Sequence, residues 1–113
     1  LQGYKILTNN FRSKLGEIDL VCLDPSTHSA GSGQAGSGQV LVFVEVKTRR
    51  GKEFGEPEEA VTPYKIRSII KTGQYFSLLH PELPDALRID VVAISIDDND
   101  EVKNIRLIKN ASG

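Results

Sequence analysis

At 113 residues the chain is one domain, large enough for a single core and too short for two. Fourteen basic and fifteen acidic residues leave a net charge of -1, so any attraction to nucleic acid must come from local clusters rather than the whole surface. No run approaches the roughly 20 apolar residues needed to cross a bilayer, and no basic leader precedes an apolar run, so we expect a cytoplasmic protein with no membrane partner.

Cys22 is alone, which excludes an internal disulfide, and with only His28 and His80 beside it a Cys/His zinc site lacks ligands. A metal here would be held by oxygen.

Tyr4 to Leu7 and Ile18 to Leu23 have the aliphatic content of strands, and Thr8-Asn9-Asn10 offers turn chemistry between them. Residues 29–39 contain only Gly, Ser, Ala and Gln, with Ala-Gly-Ser-Gly-Gln repeated in tandem, and read as a flexible loop within the single domain 1–113. Val40 to Thr48 begins as a continuous apolar run, as in a central strand covered on both faces. After a Gly/Glu/Pro-rich connection from Gly51 to Glu59, Thr62-Pro63 supplies an N-cap and a first-turn proline. Ile66, Ile69, Ile70, Gly73, Phe76 and Leu79 then form an apolar helical stripe ending near His80-Pro81, with Arg67, Lys71 and Gln74 on another face. Arg88 to Ile96 and Val102 to Ile108 read as strands around a polar turn, Asp97 to Glu101. The expected order is β-β-β-α-β-β, an α/β fold.

Side chains alternate along a strand, so Glu45 and Lys47 share the face of Leu41 and Phe43, roughly 6.6 Å apart. Glu17 and Asp19 share a face one strand earlier, with Ile18 and Leu20 on the other. An antiparallel pairing of the two strands brings Asp19 beside Glu45. Two carboxylates so placed repel unless a proton or a cation lies between them, and open oxygen coordination suits Mg²⁺ or Mn²⁺. Phosphodiester hydrolysis fits such a set: Asp19 and Glu45 as metal ligands, and Lys47 as the ammonium facing the developing charge. The same E-x-K spacing also suits a structural ion-pair network at a strand end. Glu17 and Thr48 are possible supporting groups. Arg49, Arg50 and Lys52, with Lys65 on the helix, are positioned to contact a phosphate backbone. Asp90, at a strand start, suits a cap or an ion pair with Arg88 and stays outside the catalytic set. Cys22, alternating with Leu20, reads as core filling.

The strings Gly16-Glu17-Ile18-Asp19-Leu20-Val21 and Val42 to Arg50 resemble the YraN-like uncharacterised family, as do Phe54-Gly55, Glu59-Ala60-Val61, Arg88 to Ala93 and Asn110-Ala111. That family is similar to the PD-(D/E)xK nucleases, and in outline to archaeal-type Holliday-junction resolvases. The resemblance implies a restriction-endonuclease-like αβββαβ core with a mixed central sheet, whose first helix is absent from this chain. It also implies Asp19, Glu45 and Lys47 as the catalytic set, DNA as partner, and a homodimer. Ile18 stands where the family motif has proline. The expected function is a Mg- or Mn-dependent endonuclease acting on DNA, including branched DNA. The alternative is a non-catalytic nucleic-acid-binding or interaction module on the same fold.

Overall fold

The computed structural model describes residues 3–25, 39–50, 61–85 and 87–111. The expected loop (all but Gln39), the Gly51 to Glu59 connection, His28, Lys52, Phe54-Gly55 and Glu59-Ala60 lie outside them. Five strands and one helix follow the expected order: β1 (Lys5–Ser13), β2 (Gly16–Asp24), β3 (Val40–Arg50), α1 (Pro63–Leu79), β4 (Leu87–Ile96) and β5 (Val102–Ile108). They form one mixed sheet in the order β1-β2-β3-β4-β5. All neighbours are antiparallel except β3 and β4, which run parallel because α1 carries the chain back between them.

The first turn is not at Thr8-Asn9-Asn10. β1 continues through those residues, with an irregularity between Ile6 and Thr8 and a positive φ of 50° at Asn10, and the chain reverses at Lys14-Leu15. Phe11 explains the extension: its ring meets Phe76 of α1 edge-on at 5.0 Å, which anchors the strand beyond the asparagines. The Ser13 Oγ accepts the Leu15 N–H at 3.0 Å and closes the turn. Gly16 follows at φ 148°, where an added Cβ would lie 2.5 Å from Ser68 Oγ. The hairpin tip therefore rests on α1, and the Ser68 hydroxyl donates to the Leu15 carbonyl.

One side of the sheet packs under α1 through Ile18, Val21, Leu23, Leu41, Phe43 and Ile89 against Ile69 and Phe76. The opposite side gathers Tyr4, Cys22, Val42, Val44 and Val92, with Leu20 and Val46 at its margin. Ile18 and Leu20 thus pack on different sides. Strict alternation would have kept them together, and it fails between Ile18 and Val21. Cys22 fills the core as expected, and burial pushes its thiol pKa up.

Thr62 caps α1 by accepting the Lys65 N–H at 3.1 Å, and Pro63 opens its first turn. The stripe is narrower than expected. Ile70 and Leu79 are exposed, while Thr72 is buried, its hydroxyl spent on the Ser68 carbonyl at 2.8 Å. Gly73 lets the sheet approach closely: a Cβ there would lie 2.3 Å from the Phe43 ring. Asp97 organises the β4–β5 turn by accepting the N–H groups of Asn99 and Glu101, as a polar turn should. Among the described residues no helix is long and apolar enough to cross a membrane.

Candidate functional site

Beyond Leu41 and Phe43, the α1-facing side of β3 turns from apolar to charged. Glu45 is only 5 % exposed. Its Oε2 lies 3.8 Å from Lys47 Nζ, two residues along the same strand, and 3.8 Å from Lys65 Nζ in the first turn of α1. These separations are ion pairs rather than hydrogen bonds. The crossover that makes β4 parallel to β3 also delivers the second ammonium.

Pairing of β2 with β3 runs out at Leu20↔Val44, and the same register carried one step further sets Asp19 across from Glu45. Asp19 turns one oxygen to the strand itself: Oδ2 accepts the Val46 backbone N–H at 2.7 Å. Burial, then the neighbouring Asp19 charge, push the Glu45 carboxyl above its ordinary value, while Lys65 and Lys47 pull it back. Glu17 adds a smaller upward push. The upward influences prevail, so this carboxyl holds its proton more tightly than an exposed one does.

A divalent cation held by Asp19 and Glu45 would offset that push. The donors are carboxylate oxygens, the type that Mg²⁺ and Mn²⁺ prefer, and such ions commonly use one or two protein carboxylates and complete their shell with water and phosphate. Among the described residues no group of three or more His, Cys, Asp and Glu side chains converges to hold a metal. Asp19 and Glu45 would serve as a pair, not as a closed cage.

The other expected residues distribute unevenly. Glu17 is exposed and ion-paired with Arg12 at 3.1 Å, though its charge still reaches Glu45. Thr48 is exposed, and alternation turns it away from Lys47. Arg50 also lies on the reverse side; it donates to the Asp97 carbonyl at 3.1 Å and pairs with Asp100, which ties it to the β4–β5 turn. Arg49 shares the side of Glu45 and Lys47. Lys65, expected as a phosphate contact, lies at the acidic centre beside Glu45.

A second charged cluster was only partly foreseen. Asp90 has no exposure, and its two oxygens accept from Tyr4 Oη at 2.7 Å, Arg88 Nε at 2.8 Å, Arg88 Nη2 at 2.9 Å and the Asn110 N–H at 2.9 Å. Arg88 Nη2 also reaches Asp24 at 2.8 Å. The ion pair with Arg88 is as expected; Tyr4, Asp24 and Asn110 come from distant parts of the chain. Hydrogen bonding to Asp90 and Asp24 holds the Arg88 guanidinium charged, and burial followed by the Asp90 bond raises the Tyr4 phenol. Asp90 pairs with Val44, so it lies on the side of the sheet opposite Glu45. Its position and its full set of partners mark a structural network.

Residues 1–94 match the family described as Uncharacterised protein family UPF0102. A UPF0102 protein of Caldicellulosiruptor saccharolyticus is 41% identical over 109 residues, which cover 96% of this chain and 81% of the relative. A UPF0102 protein of Lachnoclostridium phytofermentans is 43% identical over 112 residues, covering 97% and 78%. One of Symbiobacterium thermophilum is 38% identical over 109 residues, covering 96% and 80%.

Proposed function

For this chain, which belongs to Uncharacterised protein family UPF0102, we propose a cytoplasmic, Mg²⁺- or Mn²⁺-dependent endonuclease built on a restriction-endonuclease-like core. The observation that carries the proposal is the Glu45 carboxylate, nearly buried, pressed by Asp19 and flanked by two ammonium groups at one end of β3. A structural ion pair needs one partner, whereas two carboxylates and two lysines at a rim suit an anionic substrate held against a cation. The observed βββαβ run, with its parallel β3–β4 pair, agrees with the core that the sequence resemblance implies.

Asp19 and Glu45 would hold the cation, Asp19 with its orientation fixed by the Val46 N–H. When bound, the cation supplies Lewis acidity toward a phosphate oxygen and a water of lowered pKa. Lys47, the more exposed end of the β3 triplet, offers its ammonium to the charge that grows on the phosphate. Lys65 pulls the Glu45 pKa back down. Arg49 and Lys52 would neutralise neighbouring phosphates, with DNA as the substrate and two copies of the chain needed to cut both strands of a branched duplex.

The test is incubation with Mn²⁺ and a panel of plasmid, linear, single-stranded and four-way-junction DNA, beside Lys47→Ala and an EDTA control. Cleavage by the parent that disappears in both controls supports the reading. Binding without cleavage by parent and variant alike would transfer the assignment to a non-catalytic nucleic-acid-binding module.

A further inference from the structure

The β1–β2 hairpin and α1 border a second feature outside the acidic centre, an open depression. Arg12, Ser13, Lys14, Leu15 and Tyr75 line a cavity of about 340 Å³, within the range of ligand-sized pockets, roughly 300–1,000 Å³. The hairpin that carries most of it is seated on α1. Gly16 brings the hairpin onto α1 where a Cβ would clash with Ser68 and Thr72, and Ser68 holds the Leu15 carbonyl. Phe11 backs the Tyr75 ring with centroids 6.3 Å apart.

The composition of this surface is unusual for a protein of net charge -1. α1 contains three cations, Lys65, Arg67 and Lys71, and no acidic residue, not even in the first turn, where a carboxylate would favour the helix dipole. Helical spacing places Tyr64, Arg67, Ser68, Lys71 and Tyr75 along one face. Tyr64 is 73 % exposed and Tyr75 41 % exposed. Tyrosines alternating with cations on a helix free of acid suit a polyanion that also presents flat rings. Single-stranded nucleic acid has both, whereas in a duplex the base faces are stacked away.

We propose that this cavity is a binding site for an unpaired nucleobase, stacked on Tyr75, with Lys14 and Lys71 on the flanking phosphates of a single strand. The inference rests on the nucleic-acid reading above and deepens it. The cavity and the acidic centre share one hairpin: Arg12 of the cavity wall is paired with Glu17, two residues before Asp19 on β2. Tyr75, on which the base would stack, is ten residues along α1 from Lys65 at the acidic centre, roughly 15 Å, so nucleotides a few steps apart on one strand can occupy both. The favoured substrate would then contain a single-stranded segment within a few nucleotides of the cleaved bond.

Fluorescence anisotropy in EDTA tests binding without cleavage, using a fluorescein-labelled oligothymidylate, the same strand with abasic sites, and a blunt duplex. The parent should prefer the single strand, and abasic sites should weaken it. Tyr75→Leu should lose about tenfold in affinity while Tyr75→Phe, which keeps the ring, binds as the parent does. Should Tyr75→Leu fail to fold, because its ring packs on Phe11, Lys14→Glu in the exposed turn carries the same test, with weaker binding and a shallower salt dependence. Equal affinity for duplex and single strand, indifference to abasic sites, or no binding at all would overturn the inference. A parent that binds through Tyr75 but cuts nothing with Mn²⁺ leaves this site standing and removes only the endonuclease reading. A parent that cuts while Tyr75→Leu binds and cuts as well as it does removes only this site.

Discussion

Asp19 and Val46 are joined by a side-chain-to-backbone hydrogen bond of 2.7 Å at the point where β2 and β3 cease to pair. The carboxylate substitutes for the missing ladder partner, so one group closes the sheet and faces the acidic centre. Its two roles separate by substitution. Asp19→Asn keeps an oxygen that can accept the Val46 N–H and should fold with near-parental stability while losing metal-dependent cleavage. Asp19→Ala should lose cleavage and also about 1.5–3 kcal/mol of stability, the range for a hydrogen bond to a charged group. Urea unfolding followed by circular dichroism, beside the cleavage assay, distinguishes the two variants.

Glu45 should make the protein more stable when neutralised. Its folded-state pKa is raised, by burial first, so the native state holds the proton more tightly than the unfolded chain does. Stability from this group is therefore present at and below the ordinary carboxyl value of 4.5 and is lost as pH rises through the raised value. Glu45→Gln should melt a few degrees above the parent at pH 7, with the gap closing toward pH 4.5. Saturating Mn²⁺ should raise the melting temperature of the parent and leave the variant unmoved. A variant that melts below the parent at pH 7 would contradict the electrostatic account.

Lys65 lowers the Glu45 pKa from across the helix–sheet gap, more than Lys47 does from the same strand. Lys65→Ala should move the acidic limb of the pH–rate profile upward, toward higher pH, without abolishing cleavage at its optimum. Lys47→Ala should lower the rate at every pH. Profiles of the same form for both variants would argue that the two ammonium groups are interchangeable.

The Asp90 network should dominate stability. Removing Arg88 leaves a buried carboxylate without its cation, and breaking such pairs costs about 3–5 kcal/mol. Tyr4→Phe removes one bond to Asp90 and should cost about 1.5–3 kcal/mol. Denaturant midpoints measure both, and neither change should alter metal affinity if the network is purely structural.

Much of this was readable in the chain because it depends on local period and caps. The apolar run of β3, the alternation that sets Glu45 beside Lys47, and the Thr62-Pro63 start of α1 all follow from neighbours in sequence. The hairpin turn did not, since Thr8-Asn9-Asn10 has turn chemistry but Phe11, held by Phe76, keeps the strand going. Ile18 packs under α1 against expectation for a similar reason: alternation is a rule about regular strand, and β2 departs from it beside Asp19. Lys65 on Glu45, and Tyr4, Asp24 and Asn110 around Arg88 and Asp90, are meetings of residues far apart in the chain. Only the folded topology brings them together.

Tyr4 and Asn110 bind opposite oxygens of a single carboxylate, Asp90, and the Ala111 N–H goes to the Ile89 carbonyl next to it. Tyr4, ahead of β1, and Asn110, after β5, thus meet on one carboxylate of β4. Loss of that carboxylate, as in Asp90→Ala, would free both segments at once, so amide exchange in the two should rise together.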